Sequence, residues 1–304
     1  TGHPLDGMLA NVSWYGKQFD GPTRVHPLLV AGRDGNPFPL NPDLVPMLTI
    51  RRPPPVPRTV TAMAPTLMSA LRPAARARRH GAHLTMRNLG GFTVTIPHKT
   101  AMIELLDRAT PRALAAGSVN LVRRDSDGTL VGDNVDGVGF VRGLEAQGHR
   151  VRDASIWLVG LGGAGGAIAA ALCEAGVGRL LVTEIQDTRA SKGIDRLLHQ
   201  YPDVPVAEVS SPPKGINIAI NATPLGLRPG DPQSFDPMTL DPDTVVADVI
   251  MSPAETPLLQ RARTHGRRIH HGRHMLDHQV PLYLDWFGID AKGIDIVRLV
   301  RSIG

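Results

Sequence analysis

Residues Val159 to Ala167 read Val-Gly-Leu-Gly-Gly-Ala-Gly-Gly-Ala, which sets glycines at 160, 162 and 165 in G-x-G-x-x-G spacing. The residues before them, Ser155 to Val159, form a short apolar run, and Gly163 to Glu174 is rich in alanine and free of proline. Strand, glycine turn and helix are therefore expected in direct succession, and that context gives the spacing its meaning. The first glycine permits a tight turn, the second lets a ligand approach the backbone, and the third lets helix and strand pack closely. The helix N-terminus adds unbonded N–H groups and the positive end of its dipole, which suit a pyrophosphate. Gly160, Gly162, Gly163, Ala164 and Gly165 are thus expected to hold a dinucleotide.

The next strand is expected at Arg179 to Thr183, and Glu184 follows it, 24 residues beyond Gly160. An acidic residue about 20 positions after the first glycine accepts hydrogen bonds from the adenosine ribose. A carboxylate there repels a 2′-phosphate, which favours NAD over NADP. Arg189, one helical turn on, is the nearby cation.

After this turn the pattern keeps alternating. A helix is expected through Leu198, with short strands at Ile216–Asn221, Val245–Ile250 and Arg268–His270. Strands and helices alternating at this spacing argue for a parallel, doubly wound sheet. With 304 residues, the chain has room for a second domain. The expected fold is α/β in two domains: an N-terminal α/β substrate domain and a Rossmann-type nucleotide-binding domain. The junction is read near Gly148, giving residues 1–147 and 148–275.

Bulk properties narrow the class. A hydrophobic content of 42% and a charged content of 20% describe a soluble globular protein. No stretch approaches the roughly 18 apolar residues of a membrane span, and the N-terminus lacks a basic-then-apolar signal pattern. The single cysteine, Cys173, rules out an internal disulfide and reads as a small buried residue, in keeping with a cytoplasmic protein. The net charge of +5 comes largely from arginines at 51–52 and 72–87 without interleaved aromatics, so a solvated basic face is favoured over nucleic-acid binding.

Upstream, Phe92, Val94 and Ile96 alternate with Thr93 and Thr95, a period-two strand that Pro97 stops. A helical pattern begins at Thr100, so Lys99 stands between two rigid elements. A second strand is expected at Ser118–Val122, a turn at Asp127–Gly128, and a helix from Phe140 to Gln147. Residues 1–90 are less regular. Asn11–Phe19 and Met63–His80 read as helical, and Arg51–Pro57 as extended polyproline. Transfer of a hydride to or from an alcohol needs a group that moves a proton on and off the oxygen, and Lys99, Asn120 and Asp136 are the upstream candidates.

In order along the chain stand GFTVTIPHK, GSVNLV, GDNVDGVGF, VGLGGAGGA, NATPLGL, ADVIMSPAETPLL and GRHMLDHQ, between about Leu89 and Gln279. This series resembles the shikimate/quinate dehydrogenase family. The resemblance implies an NAD(P)-dependent oxidoreductase of aromatic amino acid biosynthesis, acting on shikimate or quinate and their ketones. It implies Lys99 and Asp136 as the catalytic pair, with Thr95, Asn120 and Gln279 on the polyol. Asn221, Thr223, Gly272 and Met275 match positions near the cofactor, and no metal is implied. Helices from about Leu276 onward are expected to pack back on the first domain. A small-molecule substrate is expected, without nucleic acid or membrane, for a monomer or homodimer. A catalytically silent nucleotide-binding homologue, or a dehydrogenase for another small polyol, is the alternative.

Three departures stand out. Aligning Gly2-His3-Pro4-Leu5 with the family's N-terminal turn puts Met8 and Ala10 where serines usually hold the substrate carboxylate. Thr93 replaces an asparagine, and Met251 replaces a tyrosine after Asp248. Burial beside a nicotinamide lowers a lysine pKa from about 10.4, and an adjacent Asp136 carboxylate raises it.

Overall fold

The computed structural model describes residues 90–95, 98–289 and 295–298. The readings made on residues 1–89 (Met8, Ala10, the two helical stretches and the polyproline run) and on Ile96 and Pro97 lie outside the described residues. Contacts divide the chain into two units. The first takes residues up to Thr110, Val119–Asp133 and Tyr283 onward; the second takes Pro111–Ser118 and Asn134–Leu282.

In the first unit, β1 (Gly91–Thr93), β2 (Arg108–Ala109), β3 (Leu121–Arg124) and β4 (Leu130–Asp133) form a sheet in the order β1-β3-β4-β2. Strand β3 runs antiparallel to β1 and β4, and β2 runs parallel to β4. The β3–β4 hairpin closes at the expected Asp127–Gly128 turn. Gly128 is left-handed at φ +91 and Asp127 Oδ1 accepts from the Thr129 N–H at 2.9 Å. Helix α1 (Lys99–Met102) and a 3₁₀ turn (Ile103–Leu105) lie between β1 and β2. Phe92, Leu121, Val122 and Leu130 are buried.

The second unit carries α2 (Pro111–Ala116), α3 (Asp136–Ala146), β5 (Ser155–Val159), α4 (Gly163–Glu174), β6 (Arg179–Thr183), α5 (Asp187–Gln200), β7 (Val206–Glu208), β8 (Ile218–Asn221), β9 (Val245–Asp248), α6 (Pro257–Thr264) and β10 (Ile269–His270). Helix α7 (Arg273–Trp286) starts in this unit and ends in the first. The six strands stand in the order β10-β9-β8-β5-β6-β7, and every pair is parallel. The order reverses between β5 and β8, the switch point where doubly wound sheets bind ligands at the strands' carboxyl ends. The bounds of β5, α4 and β6 are those expected from the sequence.

Strand β5 shows why the sheet sits inside. Ile156 and Leu158 face a core with Phe140, Ile168 and Leu180, while Trp157 and Val159 face a second with Phe235, Val246 and Leu259. Side chains alternate across a strand, so an apolar run without polar interruption is what a strand covered on both faces requires.

Helix α4 packs closely because its residues are small. A Cβ on Gly166 would collide with the Ala116 carbonyl of α2, and one on Gly137 of α3 with the Ala167 carbonyl of α4. This contact places α3 in the second unit, so the contact division falls at Asp133–Asn134, ahead of the junction read at Gly148. At the far end it falls at Leu282–Tyr283, beyond the border read at Leu276.

Candidate active site

The glycine turn lies at the carboxyl end of β5, on the switch point. Each glycine meets a separate demand. Gly160 is left-handed at φ +97, and a Cβ there would stand 2.9 Å from Thr223 Cγ2. A Cβ on Gly165 would strike the Gly160 carbonyl. Gly162 differs: it is extended (φ −66, ψ −168) and a Cβ would meet nothing within 4 Å among the described residues. Ordinary folding therefore does not require glycine at 162, whereas a ligand seated on the backbone does. Gly162 is also the N-cap of α4, a helix of 12 residues, and no side chain caps it. An open cradle at an uncapped helix N-terminus fits a pyrophosphate.

Glu184 is buried behind this turn. Its Oε2 accepts from the Leu161 N–H at 2.8 Å and its Oε1 from the Gln186 N–H at 3.1 Å. Arg189 Nη1 lies 3.4 Å from Oε1, so the nearby cation is paired with this carboxylate. At the carboxyl end of β8, Asn221 is fully buried. Its amide donates to the Leu225 carbonyl and to Asp248 Oδ2, both at 3.1 Å, while its Oδ1 accepts from Thr223 Oγ1 at 2.7 Å. The Asn221 side chain thus shapes the loop. Asp248, at the end of β9, is fully buried, and burial pushes its pKa up to about 6 against hydrogen bonds from Ile250, Thr256 and Asn221.

Gly272 and Met275 have packing reasons for their identities. A Cβ on Gly272 would lie 2.5 Å from the carbonyl oxygens of Val249 and Ile250. Met275 is buried in the core that holds Ile168 and Leu172.

In the first unit, the end of β1, the start of β3 and the end of β4 meet at one edge, through the pairs Thr93–Leu121 and Leu121–Asp133. Asn120 stands at the start of β3, where the sequence predicted a strand already begun at Ser118. Its backbone still bridges both neighbours, accepting from the Val94 N–H at 2.7 Å and donating to the Asp133 carbonyl at 2.9 Å. Lys99 opens α1, one residue ahead of the helix start expected at Thr100, and its carbonyl accepts from the Val119 N–H at 2.9 Å. Lys99 is buried, 8% exposed. Thr95 sits in the turn before α1, accepting from the His98 N–H at 2.9 Å. Asp133, fully buried, accepts from Thr110 Oγ1 at 2.5 Å.

Asp136 begins α3 and is 3% exposed; Gln279 of α7 donates to its Oδ1 at 2.9 Å. The Gln279 side chain reaches it because α3 has glycine at 139, where a Cβ would stand 2.6 Å from Gln279 Cγ. Two residues that the sequence did not mark as site candidates stand behind Asp136. Asn134 Oδ1 accepts from the Asp136 N–H at 3.0 Å, and its Nδ2 donates to Ser118 Oγ at 2.8 Å. Ser118 Oγ donates in turn to the Gly163 carbonyl at 2.7 Å. A buried relay thus ties the Asp136 turn to the glycine turn. The sequence signal for Asn134 was an Asn-x-Asp at a strand end, the pattern of an Asx-turn; for Ser118 there was none.

Residues 69–122 match the family model described as the shikimate dehydrogenase substrate binding domain, and residues 1–35 match one described as GXWXG protein. Shikimate dehydrogenase (NADP(+)) from Rhodospirillum rubrum is 35% identical over 225 residues, covering 71% of this chain and 79% of that protein. The chain belongs to the shikimate/quinate dehydrogenase family. Among solved structures, quinate dehydrogenase from Corynebacterium glutamicum in complex with NAD superposes with a TM-score of 0.61 at 30% identity, over 76% of this chain and 81% of that one. Ligand-free 5-ketofructose reductase from Gluconobacter sp. strain CHM43 gives a TM-score of 0.62 at 27% identity, over 79% and 85%. Met8 and Ala10 fall within the GXWXG match and ahead of the shikimate dehydrogenase match.

Proposed function

We propose that this chain transfers a hydride between a nicotinamide and a secondary hydroxyl or ketone of a cyclic polyol acid, shikimate/3-dehydroshikimate or quinate/3-dehydroquinate. The carrying observation is the open backbone at Gly162, on the switch point of the sheet, in a chain of this family. When bound, the nicotinamide supplies the hydride acceptor or donor. The remaining work falls to residues of the chain. Lys99 takes the hydroxyl proton on its Nζ as the carbon becomes a ketone, and returns it on reduction. Asp136 binds the substrate and holds the ammonium, with its own carboxylate fixed by Gln279. Thr95, Asn120 and Gln279 hydrogen-bond the polyol and orient the reacting carbon.

In this reading the N-terminal domain binds chiefly substrate and the second domain the cofactor. Gly160, Gly162, Gly163, Ala164 and Gly165 seat the pyrophosphate. Glu184 accepts from the ribose hydroxyls, and its charge favours NAD over NADP, since Arg189 is already paired with it. The loop after Asn221, including Thr223, and the Gly272–Met275 segment border the nicotinamide. The protein works in the cytoplasm as a monomer or homodimer.

One second reading has an observation behind it. The likeness to 5-ketofructose reductase favours a polyol ketone without a carboxylate. Absorbance at the reduced-nicotinamide band decides, with shikimate, quinate and 5-ketofructose each tried against NAD and NADP. Turnover on shikimate or quinate upholds the proposal, and turnover on 5-ketofructose alone transfers it to the second reading. Tight cofactor binding without turnover on any of them leaves a silent nucleotide-binding homologue.

A further inference from the structure

A second concavity lies at the other end of the nucleotide-binding sheet. It has a volume of about 550 Å³ and is lined by residues that open β8 and β9 or immediately precede β5 and β10. Strand β5 is 5 residues long, so at about 3.3 Å per residue this opening lies about 16 Å from the glycine turn. A volume of several hundred Å³ is that of a small-molecule site.

Its wall carries an excess of positive charge. Arg150, Arg152 and Arg268 line it, and Asp153 is its one carboxylate; His149 also lines it, but burial and the Arg268 charge lower its pKa and keep the ring neutral. Asp153 is engaged by Arg150, with Nη2 and Oδ2 2.5 Å apart. Among the described residues, neither Arg152 nor Arg268 pairs with a carboxylate. Arg268 Nη2 instead donates to the Asp243 carbonyl at 3.0 Å, which holds the guanidinium in place without neutralising it.

The loop bearing these groups is built, not slack. Val151, between the two outward arginines, is fully buried. Gly148 and Asp153 are both left-handed, at φ +78 and φ +61. Asp153 N–H donates to the Gly176 carbonyl at 2.9 Å, and the His149 N–H to the Leu144 carbonyl at 3.0 Å. A non-glycine residue held at positive φ stores strain that the surrounding structure must over-determine, and such residues cluster at ligand sites. Behind the wall, the His149 ring meets the fully buried His270 ring edge-on, 5.6 Å between centroids, and neither His270 ring nitrogen has a hydrogen-bond partner among the described residues.

We propose that this concavity is a second binding site, distinct from the cofactor turn, for a small polyanion of metabolite size bearing phosphate or several carboxylates. Arg152 and Arg268 supply the charge-assisted hydrogen bonds, for which planar guanidinium groups suit both anion types.

The test is calorimetric titration with pyrophosphate and, separately, citrate, in protein saturated with reduced nicotinamide cofactor so that the glycine turn is filled. Ionic strength is held near a physiological ~0.15 M. Binding of either probe is expected, and the pair tells phosphate geometry from carboxylate charge. The double variant Arg152→Gln/Arg268→Gln is expected to weaken binding by at least about tenfold, the loss of one charge-assisted hydrogen bond. It should leave the melting temperature and kcat/KM unchanged. Asp153→Asn, which keeps a residue tolerant of positive φ and removes the competing carboxylate, is expected to tighten binding. Absence of millimolar binding by both probes overturns the proposal, as does equal affinity in the double variant.

Discussion

Gly162→Ala separates a ligand cradle from a merely structural turn, because the two roles predict opposite results at this position. At φ −66 and ψ −168 alanine is unstrained, and its methyl would meet nothing within 4 Å among the described residues. Removing glycine's freedom in the unfolded chain stabilises a compatible site by about 0.4–1 kcal/mol, so the melting temperature is expected to hold or to rise by a few degrees. A pyrophosphate seated on this backbone would be displaced by the methyl. Loss of one charge-assisted hydrogen bond, about 1.5–3 kcal/mol, corresponds to roughly a 10–100-fold weaker cofactor Kd. Gly160→Ala is the control. Its positive φ costs about 1–2 kcal/mol, and its methyl approaches Thr223 Cγ2 at 2.9 Å, so the melting temperature itself should drop by several degrees. Differential scanning calorimetry and titration with NAD and NADP measure both quantities. A Gly162→Ala protein that binds either cofactor as tightly as wild type refutes the reasoning, as does one that melts several degrees lower.

Lys99→Ala should lower kcat by about 10²–10⁴-fold, the usual range for a positioned acid/base, with cofactor affinity unchanged; an unaltered kcat removes the lysine from the mechanism. Ser118→Ala breaks the relay between Asn134 and the Gly163 carbonyl. A loss of about 1–3 kcal/mol in urea unfolding is expected for a buried acceptor left without its donor, and a change under a few tenths would show that the relay is dispensable. Glu184→Ala should shift the ratio of NADP to NAD efficiency upward, because it removes the repelling carboxylate and releases Arg189; a constant ratio excludes Glu184 as the discriminator. Asp248 sets a pH dependence of stability. Its folded pKa of about 6 lies above the ordinary carboxyl value of 3.8, so between these values the folded state holds the proton more tightly. Stability from this group is full below the lower value, falls as pH rises through the window, and is lower by about 3 kcal/mol above it. Urea unfolding at steps from pH 4 to 7 should show this slope in wild type and its loss in Asp248→Asn.

Much of the second unit was legible because its signals are local. The apolar run of β5 and the alanine run of α4, bounded by glycines, carry their own period and their own stops, and the glycine spacing named the ligand class. Strands β2 and β7 were not legible, since two and three residues are too short to show a period. Helix α3 was read as starting at Phe140 because Gly137 and Gly139 disfavour helix locally; in the structure they are there for close approach, to Ala167 of α4 and to Gln279 of α7.

The candidate site divides in the same way. By itself, the sequence determined which residue types make up the candidate site: Lys99, Asn120, Asp136 and the glycine turn. It also determined that they follow one another in the order of a known family. Only the tertiary structure decided which groups act through one another. Ser118 meets Gly163 across 45 positions of chain, and Gln279 meets Asp136 across 143. Burial likewise decided that Asp248 holds its proton toward neutral pH and that Arg152 and Arg268 share one concavity. Periodicity records what a residue needs from its immediate neighbours; hydrogen bonds, desolvation and shared charge depend on distance in space, which the chain sets only when it folds.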